Sequence, residues 1–326
     1  MAASHRPKIV LTDLVENYPP ESLALLEQSG VETIDAEKAG GDPIEWIREA
    51  DALIVAWFPV TAEVIRQLRH CKVIIRLGIG YDNIDAEAAR EYGIPVCNVP
   101  DYCPQEVADH ALALALALAR ALPFLDRCVR QNVWKPTLPY PMPAFETLRF
   151  GVLGYGRIGK AAIERARGFR FALLACDPYL PESAFPADVR RCSLEELLAD
   201  ADILSVHVPL TRETRHLLNA ERLARMKPSA LLINTARGPV VDTLALAEAL
   251  RQGRLAAAGL DVFEEEPLPL DHPLLACPTA LTTPHFAWHS QESREKLYRM
   301  AVEEALRGVR EEPLRSCVNG VQPQRV

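Results

Sequence analysis

The stretch Phe150-Gly151-Val152-Leu153-Gly154-Tyr155-Gly156-Arg157-Ile158-Gly159 decides the fold of this 326-residue chain. It begins as an apolar strand, passes through a glycine turn and ends in the first residues of a helix. In such a turn Gly154 permits the sharp bend, Gly156 lets a pyrophosphate approach the backbone, and Gly159 allows close packing of helix on strand. The helix N-terminus supplies N–H donors and a positive dipole for phosphates. The stretch therefore predicts a dinucleotide-binding turn.

The residue that follows the next strand indicates which dinucleotide binds. The run Ala172–Cys176 predicts a strand that ends at Asp177, at the expected spacing of about twenty residues beyond the glycines. A carboxylate there accepts hydrogen bonds from a ribose 2′-hydroxyl and repels a 2′-phosphate. We therefore expect NAD rather than NADP. The alternative to a dinucleotide site is a tight glycine turn between strand and helix that binds no ligand.

Composition excludes several classes of partner. The chain is 49% apolar and 25% charged, with a formal net charge of −8, and it has neither a basic run nor interleaved aromatic and basic residues. These properties argue against direct nucleic-acid binding and favour a small-molecule partner. A chain of this length is expected to form two domains, each with its own core.

The sequence also indicates a cytoplasmic protein. Residues 1–6 lack the apolar stretch of a secretory signal, and the longest apolar run, residues 111–119, has nine residues, well short of the roughly 20 needed to cross a bilayer. The eight cysteines include no Cys-x-x-Cys pair, which is typical of reduced core thiols. We expect no membrane contact and no metal site.

Short apolar runs alternate with helical segments along the chain. Such continuous runs predict parallel strands covered on both faces, and hence two doubly wound α/β units in series. The runs lie at residues 8–12, 31–34, 52–56, 73–76 and 95–99, and then at 150–153, 172–176, 203–208, 230–234, 257–262 and 280–283.

Two segments connect these units. Residues 110–122 alternate Ala and Leu, and because both are strong helix formers they predict a helix, apolar on every side and therefore buried. Residues 134–143 contain four prolines, which predicts an extended arm.

Three polar residues follow successive predicted strands of the second unit. Arg237, Glu266 and His285 would then meet at the carboxyl edge of the sheet, where doubly wound sheets bind ligands. Histidine titrates near neutrality and can exchange a proton with a substrate oxygen, a carboxylate can orient its ring, and arginine binds a carboxylate bidentately. The other candidates, His110, His207, His216 and His289, are interpreted as structural or pocket-lining.

The chain resembles the D-isomer-specific 2-hydroxyacid dehydrogenases, and within them the branch that includes the C-terminal-binding proteins. The resemblance runs from about residue 51 to residue 319, with R-L-G-I-G-Y-D-N-I-D at 76–85 among its motifs. The other matching segments are 97–100, 106–109, 150–159, 177–180, 234–238, 261–267, 283–288 and 317–319.

This resemblance implies roles for individual residues. The catalytic Arg, Glu and His of the family fall on Arg237, Glu266 and His285, which are separated by 29 and 19 residues. The implied substrate contacts are the backbone of Ile79 and Gly80, Arg237, Arg76 and, as a pocket wall, Trp288. The implied cofactor contacts are Gly154, Gly156, Arg157, Ile158, Gly159, Asp177, Val107, Thr214, Thr235, Ala236 and Asp261, with His207, Val208 and Pro209 on the adenine side.

The resemblance also implies an architecture and an activity. We expect a flavodoxin-like substrate-binding domain at 1–100, completed by 290–326, and a Rossmann NAD-binding domain at 101–289 whose connecting helix and proline-rich arm occupy 101–148. The expected protein is a homodimeric, NAD-dependent oxidoreductase that interconverts a 2-oxo acid and a D-2-hydroxy acid. Where most of the family has a Gly-Gly pair, residues 286–289 read Phe-Ala-Trp-His. An NAD(H)-sensing, protein-binding scaffold and a dehydrogenase of another oxyanion, such as phosphite, stay open as alternatives.

Overall fold

The computed structural model describes residues 6–13 and 17–322. The chain divides into two compact units, residues 1–102 with 290–326 (unit 1) and residues 103–289 (unit 2). Each unit is built around its own parallel sheet. In the described part of the chain, no helix is both long enough and apolar enough to span a bilayer.

The sheet of unit 1 contains five parallel strands among the described residues. They are β1 Lys8–Leu11, β2 Glu32–Asp35, β3 Ala52–Val55, β4 Val73–Arg76 and β5 Val96–Cys97. Their order across the sheet is β2-β1-β3-β4-β5. This is the flavodoxin-like order, so the prediction of a doubly wound first unit is confirmed.

The sheet of unit 2 contains seven parallel strands. They are β6 Arg149–Leu153, β7 Ala172–Cys176, β8 Val189–Arg191, β9 Ile203–Val206, β10 Leu231–Asn234, β11 Ala257–Leu260 and β12 Ala280–Thr282. Their order is β12-β11-β10-β9-β6-β7-β8, which is the Rossmann order extended by one strand. The order reverses between β6 and β9, the place where such sheets bind dinucleotides.

Helices connect the strands of both sheets. They are α1 Pro20–Gln28, α2 Ala36–Ala39, α3 Pro43–Ile47, α4 Ala62–Ile65, α5 Ala86–Glu91, α6 Pro104–Ala119, α7 Leu122–Arg130, α8 Arg157–Gly168, α9 Leu194–Asp200, α10 Ala220–Leu223, α11 Thr243–Arg251 and α12 Gln291–Val309. Local sequence sets several of their starts. Ser193 and Ser290, for example, begin α9 and α12 with capping boxes that satisfy the first backbone N–H groups.

The C-terminal part of unit 1 packs back onto its sheet. Helix α12 lies against β3 and β4, and a Cβ at Gly308 would stand 2.2 Å from Val73, so only glycine permits this approach. The buried Glu304 then accepts backbone N–H donors from Arg315 at 2.6 Å and Ser316 at 3.1 Å. Val318 donates to the carbonyl of Val96 at 2.8 Å, which ties the end of the chain to β5.

The connecting segment differs from its prediction in extent and burial. Helix α6 ends at Ala119, because the chain turns at Ala121 with a φ of 46°, and a separate helix, α7, follows. Most of α6 is buried against α8, β10 and β11, but Ala113 is exposed. The prediction that the segment is helical is confirmed, whereas the prediction of burial on every side is wrong. Alanine permits this outcome because it tolerates both environments.

Candidate active site

The candidate site lies at the carboxyl edge of the sheet in unit 2. Four strands end there in polar residues or turns that were singled out by sequence. His207 follows β9, Thr235 follows β10, Asp261 follows β11 and Thr283 follows β12. The glycine turn follows β6 at the same edge, so the parallel topology brings these residues to one side of the sheet.

The glycine turn has the geometry that its sequence predicts. Gly154 has a φ of 95°, and a Cβ there would lie 2.8 Å from the backbone of His207. A Cβ on Gly159 would lie 2.1 Å from the carbonyl oxygen of Gly154, so the start of α8 packs directly on the turn. A Cβ on Gly156, in contrast, would meet no atom within 4 Å. The backbone at Gly156 is therefore open to a ligand at the N-terminus of α8.

Asp177 is held in place beside this turn. Its Oδ2 accepts the backbone N–H of Tyr155 at 2.9 Å, and its Oδ1 accepts that of Tyr179 at 3.1 Å. The side chain is partly exposed at the end of β7. Each carboxylate oxygen can accept more than one hydrogen bond, so the group can also receive donors from a ribose.

Two buried polar atoms at the same edge have no hydrogen-bond partner among the described residues. They are Oγ1 of Thr235 and Nδ1 of His207. The Nε2 atom of His207 lies 2.9 Å from the hydroxyl of the buried Ser205, and burial lowers the pKa of His207 to about 4, so its ring is neutral near neutral pH. A buried polar atom without a protein partner can be satisfied by a ligand or by water. Together with the open backbone at Gly156, these two atoms fit a bound dinucleotide.

Arg237 is presented by a tightly packed loop after β10. The side chain of Asn234 donates to the carbonyl of Arg237 at 2.9 Å and accepts the backbone N–H of Ala236 at 3.0 Å. The following residue, Gly238, lies so close to the next loop that a Cβ would stand 1.9 Å from the backbone of Phe263. The loops that carry Arg237 and Glu266 are therefore in backbone contact.

His285 and Glu266 form a hydrogen-bonded pair. Nδ1 of His285 lies 2.7 Å from Oε2 of Glu266, and their side chains are 21% and 29% exposed. The other oxygen, Oε1, accepts the backbone N–H of Phe263 at 2.8 Å. His285 has a φ of 54°, in the left-handed region that residues other than glycine rarely adopt. The structure thus brings together two of the three residues that the sequence grouped by spacing.

The third residue, Arg237, acts on this pair through its charge. Burial raises the pKa of Glu266, but the hydrogen bond and charge of His285, the N–H of Phe263 and the charge of Arg237 outweigh burial and lower it overall. The ionised carboxylate only accepts hydrogen bonds, so Nδ1 of His285 is the donor. The same hydrogen bond fixes the orientation of the imidazole ring.

The other predicted cofactor residues of unit 2 lie on the loops and helices around this edge. The hydroxyl of Thr214 donates to the carbonyl of Pro209 at 2.6 Å and so ties down the turn that holds Val208. Val107 is buried near the start of α6, whereas Arg157 is exposed at the start of α8. The remaining predicted residues are Ile158 and Ala236, both half-buried.

The predicted substrate residues fall in both units. In unit 2, Trp288 is buried beside the stacked rings of Phe286 and His289, with centroid distances of 6.1 and 5.1 Å. In unit 1, Arg76 ends β4 with its guanidinium 5.3 Å from the ring of Trp57. Ile79 and Gly80 are half-buried in the turn after β4. Their roles stay predictions.

Sequence reasoning assigned no role at the site to three groups: the backbone N–H of Phe263, the hydroxyl of Thr283 and the ring of His110, which was interpreted as structural or pocket-lining. The last two lie 2.9 Å apart, although they are separated by 173 residues in sequence. No local pattern signals such a contact. Within residues 6–13 and 17–322, no group of three or more His, Cys, Asp or Glu side chains is arranged to hold a metal ion.

Comparisons with known proteins show which family the chain is similar to. A family model described as D-isomer specific 2-hydroxyacid dehydrogenase, NAD binding domain, matches residues 112–287. The glyoxylate reductase of Korarchaeum cryptofilum is 41% identical over 266 residues, which is 80% of this chain and 80% of that protein. The D-3-phosphoglycerate dehydrogenase of Methanocaldococcus jannaschii is 37% identical over 96% of this chain, but the match spans only 59% of that longer protein.

A solved structure extends the similarity to both units. The D-lactate dehydrogenase from Aquifex aeolicus, crystallised with NAD and lactic acid, matches with a TM-score of 0.82 and 28% identity. The match covers 93% of this chain and 95% of that chain. At this identity the comparison supports the fold of both units.

Proposed function

Because the chain belongs to the D-isomer-specific 2-hydroxyacid dehydrogenase family, we propose that it interconverts small 2-oxo acids and D-2-hydroxy acids, with His285 as the acid/base residue. Membership makes it an oxidoreductase with an NAD-binding domain. When bound, NADH would supply the hydride that reduces C2 of the 2-oxo acid. The observation that carries the proposal is the 2.7 Å contact of His285 with Glu266, whose pKa Arg237 helps to lower.

His285 supplies and removes the proton in this proposal. Glu266 holds Nδ1 as a donor, so Nε2 gives its proton to the substrate oxygen during reduction and takes it back during oxidation. The carboxylate also stabilises the ring when it carries a positive charge. The half-buried position of the pair limits access of water and so strengthens both interactions.

Arg237 binds the substrate carboxylate in this proposal. Its guanidinium stays charged throughout the reaction and offers two parallel N–H donors to a carboxylate. Because its loop is packed against the loop of Glu266 at Gly238, the bound carboxylate is set at a fixed distance from the proton donor. By family resemblance, the backbone N–H groups of Ile79 and Gly80 and the side chain of Arg76 also contact the substrate.

Asp177 makes NAD the preferred coenzyme in this proposal, because its carboxylate repels a 2′-phosphate. Asp177→Ala should raise kcat/KM for NADPH relative to NADH, which steady-state kinetics with both coenzymes measures. Tyr179→Ala, on an exposed neighbour, is the control. Unchanged selectivity in Asp177→Ala would contradict the assignment of Asp177 to the ribose.

A substrate screen tests the proposed function. The similarity to glyoxylate reductases and the buried Trp288 favour a small substrate, so glyoxylate, pyruvate, hydroxypyruvate and larger 2-oxo acids are assayed by NADH absorbance. Rapid turnover of a small 2-oxo acid supports the proposal. NADH binding with only trace turnover of every acid would instead indicate a sensing scaffold, and NAD reduction by phosphite would indicate a different oxyanion. Membership of the branch that includes the C-terminal-binding proteins stays a prediction, and the same screen bears on it.

We also propose a homodimer formed through unit 2. Helix α7, the residues that follow it and the proline-rich arm expose a group of apolar side chains, and such a group marks an interaction surface. It consists of Leu122, Val129, Val133, Trp134 and Leu138, of which Trp134 is 75% exposed. Light scattering of the wild type and of Val129→Asp tests the proposal, with a dimer expected for the first and a monomer for the second.

A further inference from the structure

Asp261 holds the backbone on both sides of His285. It is 1% exposed, at the end of β11. Its carbonyl oxygen accepts the N–H of His285 at 2.7 Å, while its carboxylate accepts the N–H of Phe286 on Oδ1 and of Ala287 on Oδ2, each at 2.9 Å. Because His285 adopts a left-handed conformation, its backbone depends on surrounding contacts to stay there.

A hydroxyl and a second histidine complete this arrangement. The hydroxyl of Thr283 lies 2.6 Å from Oδ1 of Asp261 and 2.9 Å from Nε2 of His110 on α6. A threonine hydroxyl carries one proton, and a carboxylate that receives two backbone N–H groups is an acceptor. Thr283 therefore donates to Asp261 and accepts from the Nε2–H of His110. His110 itself lies 3.7 Å from Oδ1 of Asp261.

We propose that His110 and Thr283 are positioning residues, which act through Asp261 to hold the backbone that presents His285 to the substrate. The proposal rests on the acid/base role of His285 proposed above. It connects α6 to the reacting edge of the sheet by a directed series of hydrogen bonds. It gives Asp261 a role in the loop of His285 that is additional to the nicotinamide contact that family resemblance implies, because both of its oxygens bind that loop.

Thr283→Val tests the proposal, because it removes the hydroxyl and preserves the shape of the side chain. Displacement of a reacting group by about 1 Å can cost about 100-fold in rate, so Thr283→Val should lower kcat by about 10- to 100-fold. The Kd of NADH, measured by fluorescence titration, and the KM of the 2-oxo acid should change by less than about threefold. Thr283→Ser, which keeps the hydroxyl, should restore kcat to within about threefold of the wild type. Thr282→Val, on the exposed neighbouring residue of β12, is the matched control.

Substitution of His110 provides an independent test if Thr283→Val fails to fold in a thermal melt. His110→Phe keeps a ring without a donor and should lower kcat, whereas His110→Gln keeps an N–H donor and should lower it less. Wild-type kcat in Thr283→Val or His110→Phe would overturn the proposal. A parallel loss of NADH affinity would also overturn it, because the hydrogen bonds would then support a contact of Asp261 with the nicotinamide. Equal losses of kcat in Thr283→Ser and Thr283→Val would overturn it as well, because Thr283→Ser keeps the hydroxyl.

The same measurements separate this inference from the proposed function. Retained turnover in His285→Gln would refute the acid/base assignment and with it the basis of the inference. A strong loss in His285→Gln, together with wild-type kcat in folded Thr283→Val, would refute only the positioning role.

Discussion

Two histidine–glutamate pairs lie close together in unit 2, and they differ in what their carboxylates hold. His285 contacts Glu266 at 2.7 Å, and His216 contacts Glu264 at the same distance. The second oxygen of Glu266 accepts one backbone N–H, from Phe263. The second oxygen of Glu264 accepts both the N–H and the hydroxyl of Thr243, at 3.0 and 2.8 Å.

We infer that this difference separates the proposed catalytic pair, His285 and Glu266, from a structural pair, His216 and Glu264. The Thr243 donors anchor Glu264 to the N-terminus of α11, where a negative charge is stabilised. The backbone N–H of His216 donates to the carbonyl of Pro239 at 2.7 Å, so the same histidine ties the loop after Arg237 to the loop of Glu266. A short His–Glu distance therefore does not by itself identify an acid/base pair. The proposal distinguishes the two pairs by the contacts of the second carboxylate oxygen and by the charge of Arg237, which lowers the pKa of Glu266.

The largest effect should come from exchanging each histidine for glutamine. His285→Gln removes the proton donor and should lower kcat by about 100- to 10,000-fold with NADH affinity nearly unchanged. His216→Gln keeps an amide that can bond Glu264, so kcat should fall by less than about fivefold. Steady-state kinetics and NADH titrations of both variants check this. Similar losses of kcat in the two variants would contradict the proposed difference between the two pairs.

The next largest effect concerns Arg237, whose charge acts on Glu266. Arg237→Lys keeps the charge but loses the bidentate fork, so kcat/KM for the 2-oxo acid should fall by about 10- to 100-fold, mainly through KM. Arg215→Lys, on an exposed residue of the loop that carries His216, is the control and should match the wild type. An unchanged KM in Arg237→Lys would mean that the substrate carboxylate binds elsewhere.

Sequence predicted the parts of this site that depend on local pattern. The glycine turn could be predicted because close packing there demands glycine. The buried strands could be predicted because buried parallel strands are continuously apolar. Strand β8 was missed, because it is an edge strand with two exposed arginines, Arg190 and Arg191, and has no apolar run.

The contacts around the two pairs could not be predicted from the sequence, because they join residues that are distant in the chain and meet only in the folded protein. His110 and His216 were both interpreted as structural or pocket-lining residues, and nothing within a few positions of either one separates their roles. Only the fold brings His110 to Thr283 and brings His216 to Glu264. Spacing in the chain predicted Arg237, Glu266 and His285 as site residues, but not the groups that hold them.

A smaller effect should appear in stability rather than in turnover. Glu264→Gln weakens the charge-assisted hydrogen bonds to His216 and Thr243 and should lower the free energy of unfolding by about 1 to 2 kcal/mol. Turnover should stay within about fivefold of the wild type. Urea denaturation checks the first value, with Glu265→Gln on the exposed neighbour as the control. Loss of turnover without loss of stability would assign Glu264 to the reaction.

The smallest effect is the pH dependence of that stability difference. Burial raises the pKa of Glu264, but the hydrogen bonds from His216 and Thr243 outweigh burial and lower it below its ordinary value of 4.5. A carboxyl group with a lowered folded-state pKa stabilises the protein above its unfolded-state pKa, and this contribution is lost as the pH falls through the folded-state pKa. The difference in unfolding free energy between the wild type and Glu264→Gln should therefore stay constant above about pH 5 and shrink in stronger acid. Urea titrations across this range check the sign, and a difference that grew on acidification would show that Glu264 is not held as a carboxylate.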